Sequence, residues 1–130
     1  MAPLMLTAPV ANGVPPVAVR DGLRTFVPAA HRIANVGSAD GVSYVDDSKA
    51  TNAHAAQTSL MAYPSIVWIA GGMAKGQDFD DLVRLARDRL RGVVLIGVDR
   101  SAIADALARH APNVPVIDLA SPDTGAMVDA

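Results

Sequence analysis

The 130-residue chain contains no cysteine, which excludes disulfides and thiolate metal sites and fits a cytoplasmic protein. Aromatic residues make up only 4% of it, so Ala, Val, Leu and Ile must fill the core. Charge of one sign is lacking too. Eleven Lys and Arg against thirteen Asp and Glu leave a net charge of -2, with no general pull toward nucleic acid or an acidic membrane. No apolar run is long enough to cross a bilayer. The longest near the start, Ala2–Val10, is interrupted by Pro3 and Pro9 and lacks the basic start and cleavage pattern of a signal peptide. There is no internal repeat. His31 and His110 have no partner at ligand spacing and His54 reads as helix surface, so no metal site is expected.

What is present is a hydrophobic content of 51% and a length sufficient for one domain with a real core. Residues 1–13 read as the remnant of a preceding region or a linker, and residues 14–130 as one domain cut within its last element. Pro16 suits the first turn of a helix that carries Val19, Leu23 and Phe26 and ends before Pro28, with Arg20 and Arg24 on its solvated face. Ile33–Val36 and Val42–Val45 read as strands, joined through Asp40-Gly41 by a loop longer than two residues. Ala53–Ala62 follows as a helix with Thr51 or Asn52 as its cap. Ser65–Ala70 reads as a strand buried on both faces, with Trp68 in the core.

Beyond it, Phe79, Leu82, Val83, Ala86 and Leu90 keep a helical period that Gly92 terminates. Val93–Gly97 and Val114–Leu119 are further strands around a helix carrying Ile103, Ala106 and Leu107. Ser121-Pro122-Asp123 reads as a last helix start. The alternation predicts an α/β fold: a doubly wound, mostly parallel, Rossmann-like sheet with an N-terminal helix and a β-hairpin.

Two polar stretches sit where apolar runs give way to helices. One is Asp46-Asp47-Ser48-Lys49-Ala50-Thr51-Asn52 and the other Gly71-Gly72-Met73-Ala74-Lys75-Gly76. Both are expected to leave strand carboxyl ends, where open α/β sheets bind ligands, and so to share one rim. Lys49 and Lys75 suit carboxylate or phosphate oxygens. Ser48 and Thr51 offer hydroxyl donors, the helix after Asn52 adds backbone N–H groups, and Gly71, Gly72 and Gly76 let backbone approach a ligand. Asp47 suits a ribose hydroxyl, an ammonium or a metal-bound water. A plainer reading stands beside this one: Asp47 caps a turn, Lys49 is solvated and Gly71-Gly72 only turns the chain. Neither loop matches a nucleotide-binding fingerprint of spaced glycines.

His31-Arg32, then Asp46-Asp47-Ser48-Lys49-Ala50-Thr51-Asn52, then Gly71-Gly72-x-x-Lys75-Gly76, in that order, resemble the C-terminal domain of the Mur ligases. The first loop is most similar to the branch that adds D-glutamate to UDP-N-acetylmuramoyl-L-alanine. The resemblance implies an ATP-dependent acid–amino-acid ligase of cytoplasmic peptidoglycan synthesis, working through an acyl phosphate. It implies that Arg32, Asp47 and Lys49 contact ATP or its phosphates and that Thr51 and Lys75 hold the carboxylates of D-glutamate, with Ser48, Asn52, Gly71, Gly72 and Gly76 as supporting loop. It implies no catalytic side chain here. The family's ATP loop and the modified lysine that helps hold Mg belong to a central domain on which this one docks, and a Ser and a Phe that complete the pocket are expected after Ala130. The chain alone is therefore expected to be inactive. A sister Mur or folylpolyglutamate-type ligase domain, and a nonenzymatic nucleotide-binding module, remain alternatives.

Overall fold

The computed structural model describes residues 13–27, 29–72 and 76–119. The chain divides into two compact units, residues 1–30 and 31–130. In the first, α1 spans Pro16–Thr25. Pro16 starts it because the fixed φ of proline is already helical and its missing N–H falls where none is bonded. Val19 is its buried residue, and the Thr25 hydroxyl donates to the Asp21 carbonyl at 2.8 Å in the last turn.

The second unit opens with an antiparallel hairpin of β1 (Ala34–Ala39) and β2 (Val42–Asp46). The connection is only the two residues Asp40-Gly41, both at positive φ (50° and 81°), shorter than the sequence suggests. Ala39 pairs with Val42 and carries the ladder up to the turn. Two consecutive left-handed residues match the twist of the flanking strands, so the Asp-Gly pair alone suffices. A bulge between Asn35 and Gly37 absorbs one extra residue.

Next come α2 (Ala53–Ala62), β3 (Ile66–Gly71), α3 (Asp80–Ala86), β4 (Leu90–Ile96), α4 (Arg100–His110) and β5 (Val116–Asp118). β3, β4 and β5 form a parallel sheet in that order, so the fold is the expected mixed α/β, Rossmann-like one. The sequence period runs α3 on to Leu90, yet the helix stops at Ala86 and Leu90 opens β4. The Arg89 N–H bonds the Ala86 carbonyl, and the Ile66 N–H bonds the Arg89 carbonyl, which commits Leu90 to the ladder opposite Ile66. A Leu at that position reaches the core from either conformation, so periodicity could not separate them. Gly92 accordingly lies within a strand rather than ending a helix.

One core joins α2, α3 and α4 to one face of the sheet. Leu60, Phe79, Leu82, Val83, Ala86, Ile103 and Leu107 meet Ala70, Leu90, Val93 and Leu95. Among the described residues the other face of β3 is open. Val67 is 66% exposed and Ile69 56%, so this strand is covered on one side and not both. Between helices, Arg109 at the end of α4 donates from Nη2 (2.5 Å) and Nε (3.2 Å) to Asp80 Oδ1 at the start of α3. Each charge sits at the helix end whose dipole favours it. The Arg109 guanidinium, ahead of His110, holds the Asp80 carboxyl below its ordinary range. Segment 120–130, including the predicted helix start at Ser121, lies outside the described residues.

Candidate functional site

Arg32 stands in the turn that leads into β1, between two residues in the left-handed region, His31 (φ 63°) and Ile33 (φ 47°). A β-branched residue rarely adopts that conformation, so something must hold it. The holders come from the end of β2. Asp47 Oδ1 accepts the Ile33 N–H at 3.1 Å, and the Lys49 N–H bonds the His31 carbonyl at 3.1 Å. His31 Nδ1 lies 2.5 Å from Asp46 Oδ2, donating to it when it carries the proton. Asp46 Oδ1 also accepts the Ser48 N–H at 2.9 Å. That backbone N–H, with His31 and the Ser48 hydroxyl behind it, lowers the Asp46 carboxyl to about 2. Nothing in the spacing of the sequence pointed to the His31–Asp46 pair.

Asp47 also accepts from the Ser59 hydroxyl on α2, so one carboxylate joins the Arg32 turn to that helix. Each oxygen keeps further acceptor capacity. Arg32, Ile33, Asp47, Ala50, Ala55, Thr58 and Ser59 line a cavity of about 240 Å³. Arg32 and Asp47 from the predicted set thus share one wall. Thr58 and Ser59 were not singled out in the sequence because they lie inside an ordinary helix pattern.

The first loop then tightens. The Ala50 N–H bonds the Asp47 carbonyl at 2.8 Å and the Thr51 N–H the Lys49 carbonyl at 2.9 Å. Asn52 caps α2, its Oδ1 accepting the Ala55 N–H at 2.8 Å. Lys49, Thr51 and Ser48 are exposed.

The second loop begins on Gly71, and both this glycine and Gly97 after β4 are required by protein packing. A Cβ on Gly71 would lie 1.8 Å from the Ile96 carbonyl oxygen, and one on Gly97 would lie 2.7 Å from Gly72 N. The ends of β3 and β4 thus meet backbone to backbone. Lys75 lies outside the described residues. The loop's return brings in a residue absent from the sequence reading. Gln77 Oε1 accepts the Ala53 N–H at 3.0 Å and Gln77 Nε2 donates to the Thr51 carbonyl at 3.3 Å. The sequence predicts one rim built on the strand ends of one sheet, but the first loop leaves the hairpin, whose strands, among the described residues, pair only with each other. A side chain, together with the packing of α2 on the shared core, brings the two loops together.

A profile of the Mur ligase glutamate ligase domain matches residues 31–128. The chain belongs to the Mur ligase family. The match begins at His31, the first residue of the second unit. The chain is similar to the UDP-N-acetylmuramoylalanine–D-glutamate ligase of Streptomyces avermitilis, 69% identical over 117 residues, which cover 90% of this chain and 25% of that protein. It is 68% identical over 120 residues to the enzyme of the same name from Streptomyces coelicolor, covering 92% of this chain and 26% of that one. For Mycobacterium tuberculosis the identity is 54% over 114 residues, 87% and 23% of the two chains. The chain therefore spans about a quarter of the length of the curated relatives it matches. Among the described residues, no helix is long and apolar enough to cross a membrane.

Proposed function

We propose that this chain is the amino-acid-delivering domain of an ATP-dependent ligase that joins D-glutamate to UDP-N-acetylmuramoyl-L-alanine in cytoplasmic peptidoglycan synthesis. The observation that carries this reading is the conjunction of the family match with the two tied loops. The high identity to relatives named for that ligation supports the choice of amino acid.

In this reading Thr51, with Lys75, holds the carboxylates of D-glutamate, and Arg32, Asp47 and Lys49 face the nucleotide. The cavity wall fits the sugar and phosphate edge of a nucleotide: a guanidinium, the Thr58 hydroxyl, and Asp47 with lone pairs to spare. ATP supplies the phosphoryl group that activates the alanine carboxylate. The residues of this domain bind and orient, so that the amine meets the acyl phosphate at a fixed approach. We assign Mg to the central domain on which this one docks. By itself the domain is expected to be inactive.

The test uses the full-length enzyme. Phosphate release from ATP is followed with UDP-N-acetylmuramoyl-L-alanine and a panel of amino acids, beside Thr51→Ala. Release that depends on D-glutamate, with a KM for it raised in the variant, supports the reading. A preference for another amino acid moves the assignment to a sister ligase, and release that no amino acid stimulates overturns it.

A further inference from the structure

The two loops that make up the rim hang on different scaffolds. The first is carried by the hairpin and the second by the parallel sheet, and among the described residues β1 and β2 pair only with each other. The direction of Thr51 relative to the second loop is therefore not set by a shared ladder. It is set by the packing of Ala53 and Ala56 of α2 on the shared core and, at the loop itself, by one side chain. Gln77 uses both ends of its amide on the backbone around Thr51: Oε1 accepts the Ala53 N–H at 3.0 Å and Nε2 donates to the Thr51 carbonyl at 3.3 Å.

An amide is the group that can do this. The Thr51 carbonyl needs a donor and the Ala53 N–H needs an acceptor, and Gln offers one of each on a planar group. The Ala53 N–H is also one of the orphan donors at the start of α2. Asn52 satisfies the Ala55 N–H, and Gln77 satisfies Ala53 from outside the helix. Gln77 is half-buried, so water competes little for the Ala53 bond. Beyond it Asp78 turns the chain, its Oδ1 accepting the Asp80 N–H at 2.8 Å, and Phe79 is buried in the core. The backbone that carries Gln77 is thereby anchored from its C-terminal side.

We infer that Gln77 is a positioning residue for amino-acid binding: it straps the Gly-loop return to the backbone of Thr51 and so aims the Thr51 hydroxyl. This deepens the proposed ligase reading and rests on it for the identity of the ligand. Gln77 acts through Thr51 and need not touch the substrate.

The experiment uses the full-length enzyme with Gln77→Met, which keeps the volume and removes both hydrogen bonds, alone and combined with Thr51→Ala. The expected result is a KM for D-glutamate raised by up to about tenfold, the worth of the one Thr51 hydroxyl bond to a carboxylate that loses its aim. The kcat and the KM for ATP are expected to stay within about twofold, because uniform binding alone is lost. In the double variant the KM is expected to match that of Thr51→Ala, since Gln77 has nothing left to aim. A fall in kcat at unchanged KM, or additive effects of the two substitutions, overturns the inference. Hydrogen exchange at the Ala53 amide, measured without substrate, checks the strap itself. Faster exchange in Gln77→Met supports it and unchanged exchange overturns it. If wild-type enzyme prefers another amino acid, the proposed function fails while the strap is still judged by that exchange and by the KM for the preferred amino acid.

Discussion

The carboxylate of Asp47 accepts the backbone N–H of Ile33 at 3.1 Å, although Ile33 lies in a left-handed conformation that β-branched residues avoid. The pair explains how Arg32 is kept in the cavity wall: the backbone after it is pinned by the same side chain that bonds Ser59 on α2. An acid in this loop serves the protein's own backbone first, and its remaining lone pairs stay open.

Asp47→Ala is therefore expected to destabilise the second unit by about 1–3 kcal/mol, because the Ile33 N–H and the Ser59 hydroxyl lose their common acceptor. Equilibrium urea unfolding measures this directly. An unchanged midpoint would mean that water replaces the carboxylate at no cost.

Ile33→Asn is expected to leave stability unchanged or to raise it. Asparagine tolerates positive φ, and a left-handed non-glycine residue costs roughly 1–2 kcal/mol. Ile33 is 39% exposed, so the apolar burial given up offsets part of that gain. A lower melting temperature in the variant would contradict the strain argument.

Gly71→Ala is expected to cost about 3 kcal/mol or more, since a new Cβ would stand 1.8 Å from a backbone oxygen that cannot rotate away. Gly76→Ala has no atom within 4 Å of its added Cβ but sits at φ 73°, so only the backbone penalty of roughly 1 kcal/mol is expected. Thermal unfolding of the two variants should rank them in that order.

Asp46 carries an acid-range dependence of known sign. Its folded pKa, about 2, lies below the ordinary 3.8. The unfolded chain therefore binds the proton more readily, and the stabilisation is complete above the ordinary value and lost as pH falls from about 4 toward 2. Asp80 acts in the same direction through Arg109. Asp46→Asn is expected to flatten the stability profile in that window, and Arg109→Met to raise the titration of Asp80 seen by carboxyl NMR. An unaltered profile in the first, or an unmoved titration in the second, would remove the role assigned to that pair.

The legible parts of the fold are those decided by short-range chemistry. Pro16 marked the start of α1, Asn52 was one of two capping choices for α2, and the Ile66–Ile69 run marked β3 because each depends on residues within one turn or one strand. Both polar loops were visible for the same reason. What escaped was decided at long range or by competition. Leu90 suited a helix and a strand equally until Ile66 paired with it. Gln77 looked like any polar loop residue, because its partners lie more than twenty positions earlier. His31 and Asp46 are 15 positions apart and meet only once the hairpin has formed. Coverage of β3 on one face depends on what packs there, which a run of apolar letters does not state.

The two-residue turn at Asp40-Gly41 sets the order in which the rim is completed during folding. Every contact of the hairpin is local, and such ribbons zip in roughly 1–10 μs. The parallel ladder of β3, β4 and β5 must first close its crossovers, which makes it the slower element. The Arg32 turn is therefore built early, on the hairpin, while the amide of Gln77 reaches Thr51 only after β3 has formed and its loop has returned. Protection of the Ala53 amide during refolding is expected to lag behind formation of the hairpin, and under the proposed function amino-acid affinity would return with it.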